Sequence, residues 1–411
     1  MGAALLAAYL VLWWVIASAA SRRHGAAFFA LGLALLALAS WAYRRGRRVW
    51  LYRLGYASLL AATTALLLEA ALHVKPSLLG GRVANFAYSG YHPYRGGIYA
   101  LDPEIGPLMR PSVRRWMYWN GHWWWHESNA QGWRGPALDH ADVVFLGDSM
   151  IYGHGVPAGD SVPARFARAT GLATANIGQQ GTCAPQQLEL FRRRGVPLRP
   201  RVVFLCAHPS DPEDVARMYA PAEQEAYLQR PGYHARVLPE YGPPRRWDPL
   251  WLWARHAELP LWSGGILGSL VRTMRERRAQ EFTAARDPFI PTAAERDEVL
   301  PALRADAPAA ERRAWLVHRR AVEELRGLCA GAGARLVLFD LGYPRTFSAA
   351  TEALAGEMGI EYSPAGRVAL GRSLAGERMY LANDGHWSGG GAAAVAGELA
   401  RTGAVRAIMR D

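Results

Sequence analysis

The feature that most limits the folds open to this chain lies at its start. Residues 1–75 hold three apolar stretches, 3–20, 26–43 and 54–74, separated by basic clusters. Each is about long enough to cross ~30 Å of hydrocarbon as a helix. Arg22 and Arg23 divide the first from the second; Arg44, Arg45, Arg47, Arg48 and Arg53 divide the second from the third. Cytoplasmic loops carry the excess of arginine and lysine, so the five-arginine loop is expected inside and the two-arginine loop outside. The third helix then leads out, and everything after residue 75 is expected on the extracytoplasmic side. Ala17-Ser18-Ala19 resembles a signal-peptide cleavage site, but the residues before the first apolar stretch include no basic one. Cleavage there would leave the destination of the large domain unchanged.

The rest of the chain reads as globular. Of the 411 residues, 51% are hydrophobic and 20% charged, which excludes a disordered tail or a charged coiled coil. The net charge of +12 comes almost wholly from arginine, because Lys75 is the only lysine. That skew reads as compositional bias rather than a binding stripe, so no nucleic-acid partner is expected. Cys183, Cys206 and Cys329 are scattered and make neither a metal spacing nor a disulfide framework. Residues 76–140, rich in Gly, Pro, Tyr and Trp, predict lead-in loops and short strands. From 141 to 411, short apolar runs at 142–147, 174–177, 201–206 and 335–341 read as buried parallel strands. Helical segments are expected near 163–170, 185–194, 309–332 and 391–401. Strands alternating with helices predict an α/β sandwich around a parallel sheet. The Pro- and Trp-rich stretch 212–308 breaks the alternation and reads as an insertion over the site.

Ligands of open α/β sheets bind beyond the carboxyl ends of the strands. Gly147-Asp148-Ser149 ends the first of these strands, where a serine hydroxyl can stand above the sheet edge near backbone N–H groups. Asn176 to Gly181 follows the second, its glycines permitting close backbone approach. Asn383-Asp384-Gly385-His386 precedes the last helix, and an Asp two residues before a His can orient the imidazole. Nucleophile, orienter and base thus occur in the order Ser149, Asp384, His386. Taken singly, each motif is also an ordinary turn or helix cap; together, in this order, they point to catalysis.

These segments resemble the SGNH, or GDSL-type, hydrolase superfamily. VVFLGDSMIYGHGV is similar to its first block, NIGQQGTCAPQQL to its second and DGHWSGGGAAAVAGEL to its last. LDPEIGPLMRP and NAQGWRG resemble the lead-in of membrane-anchored bacterial members, and the likeness spans roughly residues 100–405. It implies a three-layer α/β/α (flavodoxin-like) domain following the transmembrane helices. Ser149 would be the nucleophile, His386 the base and Asp384 its partner, with an oxyanion hole from the N–H groups of Ser149 and Gly181. The third block usually adds an Asn side chain; here His208-Pro209-Ser210-Asp211 puts Ser210 in its place. The Asp-x-His spacing resembles relatives linked to polysaccharide O-acetylation. The implied protein is a multi-pass protein of the bacterial inner membrane with an extracytoplasmic catalytic domain. It would be an esterase or O-acyltransferase acting on acyl, foremost acetyl, esters of cell-envelope glycans, with a membrane acyl-transfer partner. The alternative is a catalytically silent glycan-binding or scaffold protein of a membrane complex. No nucleotide loop, flavin motif or metal set is present in the sequence, so no cofactor or metal is expected.

Other residues have plainer readings. The aromatic run from Trp116 to His126 reads as strands packing onto the core, with a sugar-stacking platform as the alternative. His122 and His126 would suit a metal only on a helix, which Gly121 argues against. Cys183 reads as a small buried side chain, and His154 and His208 as loop histidines that could line the pocket.

Overall fold

The computed structural model describes residues 97–238, 289–382 and 384–410, with a few more between 41 and 60. Nearly all of the three apolar stretches, and residues 239–288 of the insertion, lie outside the described residues. Among the described residues no helix is long and apolar enough to cross a membrane.

Two antiparallel hairpins lead in: β1 (Tyr99–Asp102) with β2 (Gly106–Met109), and β3 (Arg114–Trp119) with β4 (His122–Glu127). The aromatic run is therefore a hairpin. Its alternation turns Met117, Trp124 and His126 inward, all essentially buried, while Trp125 is exposed.

Five parallel strands form the central sheet: β5 (Val143–Leu146), β6 (Thr174–Asn176), β7 (Val202–Cys206), β8 (Arg335–Phe339) and β9 (Glu361–Ser363). Their order is β6-β5-β7-β8-β9. All residues of β5 and β7 are buried, as continuous apolar runs in a sheet covered on both faces must be. Val143 and Phe145 face one side; Val144 and Leu146 face the other.

Among the described residues, the helices around the sheet are α1 (Ser149–Tyr152), α2 (Val162–Thr170), α3 (Ala184–Leu190), α4 (Asp211–Met218), α5 (Pro221–Gln229), α6 (Ala309–Gly331), α7 (Arg345–Met358), α8 (Ala365–Leu374), α9 (Gly389–Leu399) and α10 (Gly403–Ile408), with a short helix at Ala293–Asp297 besides. α2, α8, α9 and α10 pack their apolar residues on the Phe145 side. α3, α4, α5, α6 and α7 pack theirs on the Val144 side. The domain is thus three layers, α/β/α.

Two features depart from the sequence reading. The stretch expected to be an insertion from 212 begins with α4 and α5, whose Val215, Met218 and Tyr227 are buried in the same core as α6. That opening part belongs to a helix layer. The apolar pattern of the sequence does not predict α7, β9 or α8, and β9 offers only three residues with a half-open burial pattern.

From β5 the chain steps to β6 on one side and then crosses to β7 on the other. The carboxyl ends of β5 and β7 therefore flank a topological switch point, where sheets of this kind open a crevice.

Candidate active site

Ser149 is the first residue of α1, directly past β5. The turn needs its glycine: Gly147 has φ +150, and a Cβ there would come 2.6 Å from Ile151 Cγ1. Asp148 caps the helix, accepting from the Met150 N–H at 2.9 Å. As the first helical residue, Ser149 has no intrahelical acceptor for its own N–H. At the other end of α1, the buried Arg134 guanidinium donates to the carbonyls of Tyr152 (3.0 Å), Gly153 (2.6 Å) and Val156 (2.9 Å). One buried cation thus satisfies the carbonyls of the segment that presents the serine.

His386 approaches from the loop before α9. Its Nε2 lies 2.7 Å from Ser149 Oγ. Its Nδ1 is hydrogen-bonded to Asp384 Oδ1, which also accepts the His386 N–H at 2.9 Å. The loop folds back on itself, with Leu381 N–H donating to His386 O at 2.8 Å. Asp384 is buried and the His386 side chain about one-fifth exposed, 21%. Burial pushes the Asp384 pKa up, but the charge and hydrogen bonds of His386 outweigh it and hold the carboxyl well below its usual range. Burial pulls His386 down, and the charge and hydrogen bond of Asp384, with a contribution from Asp148, raise it above the ordinary imidazole value.

A second imidazole lies against the first. His154 stacks on His386 with centroids 4.1 Å apart and planes 20° from parallel. Burial, then the neighbouring His386, hold His154 well below the ordinary value, so it is neutral at neutral pH. The β3–β4 hairpin closes this side: the ring of Trp124 is 4.8 Å from His154, Asn120 Nδ2 donates to Asp384 Oδ2 at 3.1 Å, and His122 Nε2 is 2.6 Å from the Ala382 carbonyl. The sequence reading gave Asn120 no role. The one local signal was Asn-Gly, a hairpin turn, which does not say what the turn will meet.

The loop after β6 is tied to the strand that leads into Ser149. Gln179 N–H donates to Gly147 O at 3.0 Å, and Gly178 packs so closely on α1 that a Cβ would lie 2.6 Å from Tyr152 N. Gly181 sits in this loop with φ +64, a conformation that suits glycine. The neighbouring Cys183 thiol is pushed well up by burial, which leaves it protonated.

Ser210 is placed differently. Its N–H donates to His208 Nδ1 at 3.1 Å and its hydroxyl to Asp214 Oδ2 at 3.1 Å. Its Oγ also lies 2.8 Å from His208 Nδ1, which is 3.7 Å from Asp148 Oδ2. No hydrogen bond joins Ser210 to Ser149. His126 lies on β4, with Nδ1 2.7 Å from Tyr152 OH, so the histidine pair of the aromatic run is split between two partners.

Among the described residues, two groups of side chains bring metal-type donor atoms within 4.8 Å of one another: His154, Asp384 and His386, and Glu104, Glu189 and His234. In the first group His386 already bonds both Asp384 and Ser149. In the second, Arg193 bonds Glu104, and His234 Nδ1 lies 3.0 Å from Glu189 Oε1.

The chain matches no protein-family model and no curated protein. Among solved structures it is similar to a protein described as a GDSL-like lipase from Parabacteroides merdae, at 11% identity and a TM-score of 0.32, over 67% of this chain and 99% of that one. A protein described as a lipolytic member of the G-D-S-L family from Desulfitobacterium hafniense has 13% identity and a TM-score of 0.30, covering 62% and 98%. A GDSL-like lipase from Bacteroides thetaiotaomicron has 10% identity and a TM-score of 0.30, covering 65% and 87%. Similarity at this level does not assign the chain to a family.

Proposed function

We propose that this chain is a serine ester hydrolase or O-acyltransferase. The observation that carries the reading is the continuous contact from Ser149 Oγ to His386 Nε2 and from His386 Nδ1 to Asp384. Ser149 attacks an ester carbonyl while His386 takes its proton, and Asp384 holds the imidazole and stabilises the imidazolium. His386 then returns the proton to the departing alcohol, leaving an acyl group on Ser149. Water or a sugar hydroxyl, deprotonated by the same imidazole, removes the acyl group. The N–H groups of Ser149 and Gly181 would stabilise the developing oxyanion. His154, neutral and stacked on His386, adds no charge to oppose the imidazolium.

The substrate is an acyl ester, foremost an acetyl ester, of a cell-envelope glycan. The domain works outside the cytoplasm, anchored through the apolar stretches of residues 1–75. Support for that part comes from the arginine distribution and the resemblance of the Asp-x-His block. Labelling with a fluorophosphonate probe tests the chemistry. Wild type labels, and Ser149→Ala and His386→Ala do not. A folded wild type that stays unlabelled refutes the hydrolase reading and favours a silent glycan-binding protein, for which the engagement of the Ser210 hydroxyl by Asp214 is the motivating observation.

A further inference from the structure

Asp384 has two carboxylate oxygens, and His386 uses one. Oδ1 takes both the backbone N–H and the ring Nδ1 of His386. Oδ2 belongs to an anion that is 4% exposed, and a buried anionic oxygen without a donor is costly. Its donor is the Asn120 amide at 3.1 Å, from a residue 264 positions away. Asn120 and Gly121 are the two-residue tip of the β3–β4 hairpin, closed by the Trp119–His122 pair. Both have positive φ, +45 and +93, as a type I′ hairpin turn requires. Asn is one of the few residues with a side chain that adopts such a φ readily. One residue therefore meets the demand of the turn and the demand of the carboxylate.

The tip holds the loop at a second point. A carbonyl only accepts, so His122 Nε2 carries the proton and donates to Ala382 O at 2.6 Å. The hairpin thus grips the His386 loop at two positions two residues apart. The other titratable groups about the pair are His154, with Nε2 4.0 Å from Asp384 Oδ2, Tyr343 from the loop after β8, and Asp148 toward His386.

We propose that Asn120 is a positioning residue of the site: its amide fixes the Asp384 carboxylate so that Oδ1 faces His386 Nδ1, and the β3–β4 hairpin is thereby part of the catalytic apparatus. This rests on Ser149, His386 and Asp384 acting as read above. The two hydrogen bonds on Oδ1 restrain one oxygen; the Asn120 bond stops the carboxylate plane from turning about it. A turned carboxylate weakens the restraint on the imidazole that must meet Ser149 Oγ.

Two variants separate the amide from the turn. Asn120→Gly keeps the positive φ and removes the donor. Asn120→Asp keeps the φ and the size but sets a carboxylate against Asp384. The full 411-residue chain is assayed by hydrolysis of p-nitrophenyl acetate, with fluorophosphonate labelling, a thermal melt and the low-field proton resonance of the His386 Nδ1–H. The loss of one hydrogen bond to a charged group predicts a fall in kcat of at least about tenfold in both variants. KM stays unchanged, and the low-field resonance shifts, which a purely structural role would not produce. A folded Asn120→Gly that keeps more than a tenth of the wild-type kcat overturns the proposal. If Asn120→Gly fails to melt cooperatively, Asn120→Asp decides by the same threshold. Loss of the fold in both assigns Asn120 to the turn alone and also overturns it. A wild type that neither labels nor hydrolyses is a separate result, which removes the catalytic reading and this proposal with it.

Discussion

Gly178 offers a direct test of how closely Ser149 is held. The glycine lies in the loop after β6, and a Cβ built there would meet Tyr152 N and Ile151 Cγ2 at 2.6 Å. Ordinary contact begins at 3.4 Å, so the loop and α1 must separate by about 3.4 − 2.6 = 0.8 Å in Gly178→Ala. One of the two atoms is backbone and cannot swing aside, and α1 carries Ser149. Overpacking of this kind costs about 1–3 kcal/mol, and Tm falls by about 2–4 °C for each kcal/mol. The effect on rate is larger. A shift approaching 1 Å would open the 2.7 Å contact between Ser149 Oγ and His386 Nε2 toward the limit of hydrogen bonding, and such a misplacement costs on the order of 10²-fold. Gly371→Ala is the control, since Gly371 lies in α8 and a Cβ there meets nothing within 4 Å. It should leave the labelling rate alone and hold or raise Tm through helix propensity. Fluorophosphonate labelling rates and melting curves of both variants decide the matter. Wild-type labelling and an unchanged Tm in Gly178→Ala would show that α1 is not braced by this loop.

Further outcomes follow from the charges. Because Asp384 raises the His386 pKa, and catalysis needs the neutral imidazole, the acid limb of kcat/KM should fall above the ordinary value of about 6.5. Asp384→Asn removes the raising charge and leaves the burial, so the limb should move below that value while the rate drops; a limb that stays put refutes the pairing. Asp384 titrates below its usual range in the folded chain, so its contribution to stability is complete above about pH 4 and is lost as pH falls through the depressed value. Melts across acidic pH should show that loss in wild type and its absence in Asp384→Asn. Arg134→Met leaves buried carbonyls at the end of α1 without a donor and should cost about 3 kcal/mol or more, read by denaturant unfolding; a cost under about 1 kcal/mol would show that water serves those carbonyls as well.

The parallel strands were legible because buried strands between helix layers have to be apolar throughout. VVFL in β5 and VVFLC in β7 carry that requirement openly. β9, with Glu361 exposed and three residues in all, carries too little of it. Ser149, Asp384 and His386 could be picked out because each sits at an element boundary where polar residues have to be accounted for. Ser210 takes its expected role from position in a motif, which does not say that its hydroxyl will meet His208 Nδ1 at 2.8 Å and Asp214 Oδ2 at 3.1 Å. Asn120 could not be found this way. Its turn is visible in Asn-Gly, but its bond to Asp384 spans 264 residues, and no local period encodes a contact at that distance.

That distance also sets when the chain can react. Ser149 and His386 are 237 residues apart in sequence, and closing such a loop costs on the order of 5 kcal/mol before any contact repays it. Until the sheet and both helix layers are in place, the serine is an ordinary alcohol. On the ester-hydrolase reading proposed above, a chain still being made or opened by a protease would carry no ester-cleaving activity to harm its surroundings. Turnover is then a readout of complete folding, and a preparation that labels stoichiometrically is one in which every molecule has finished.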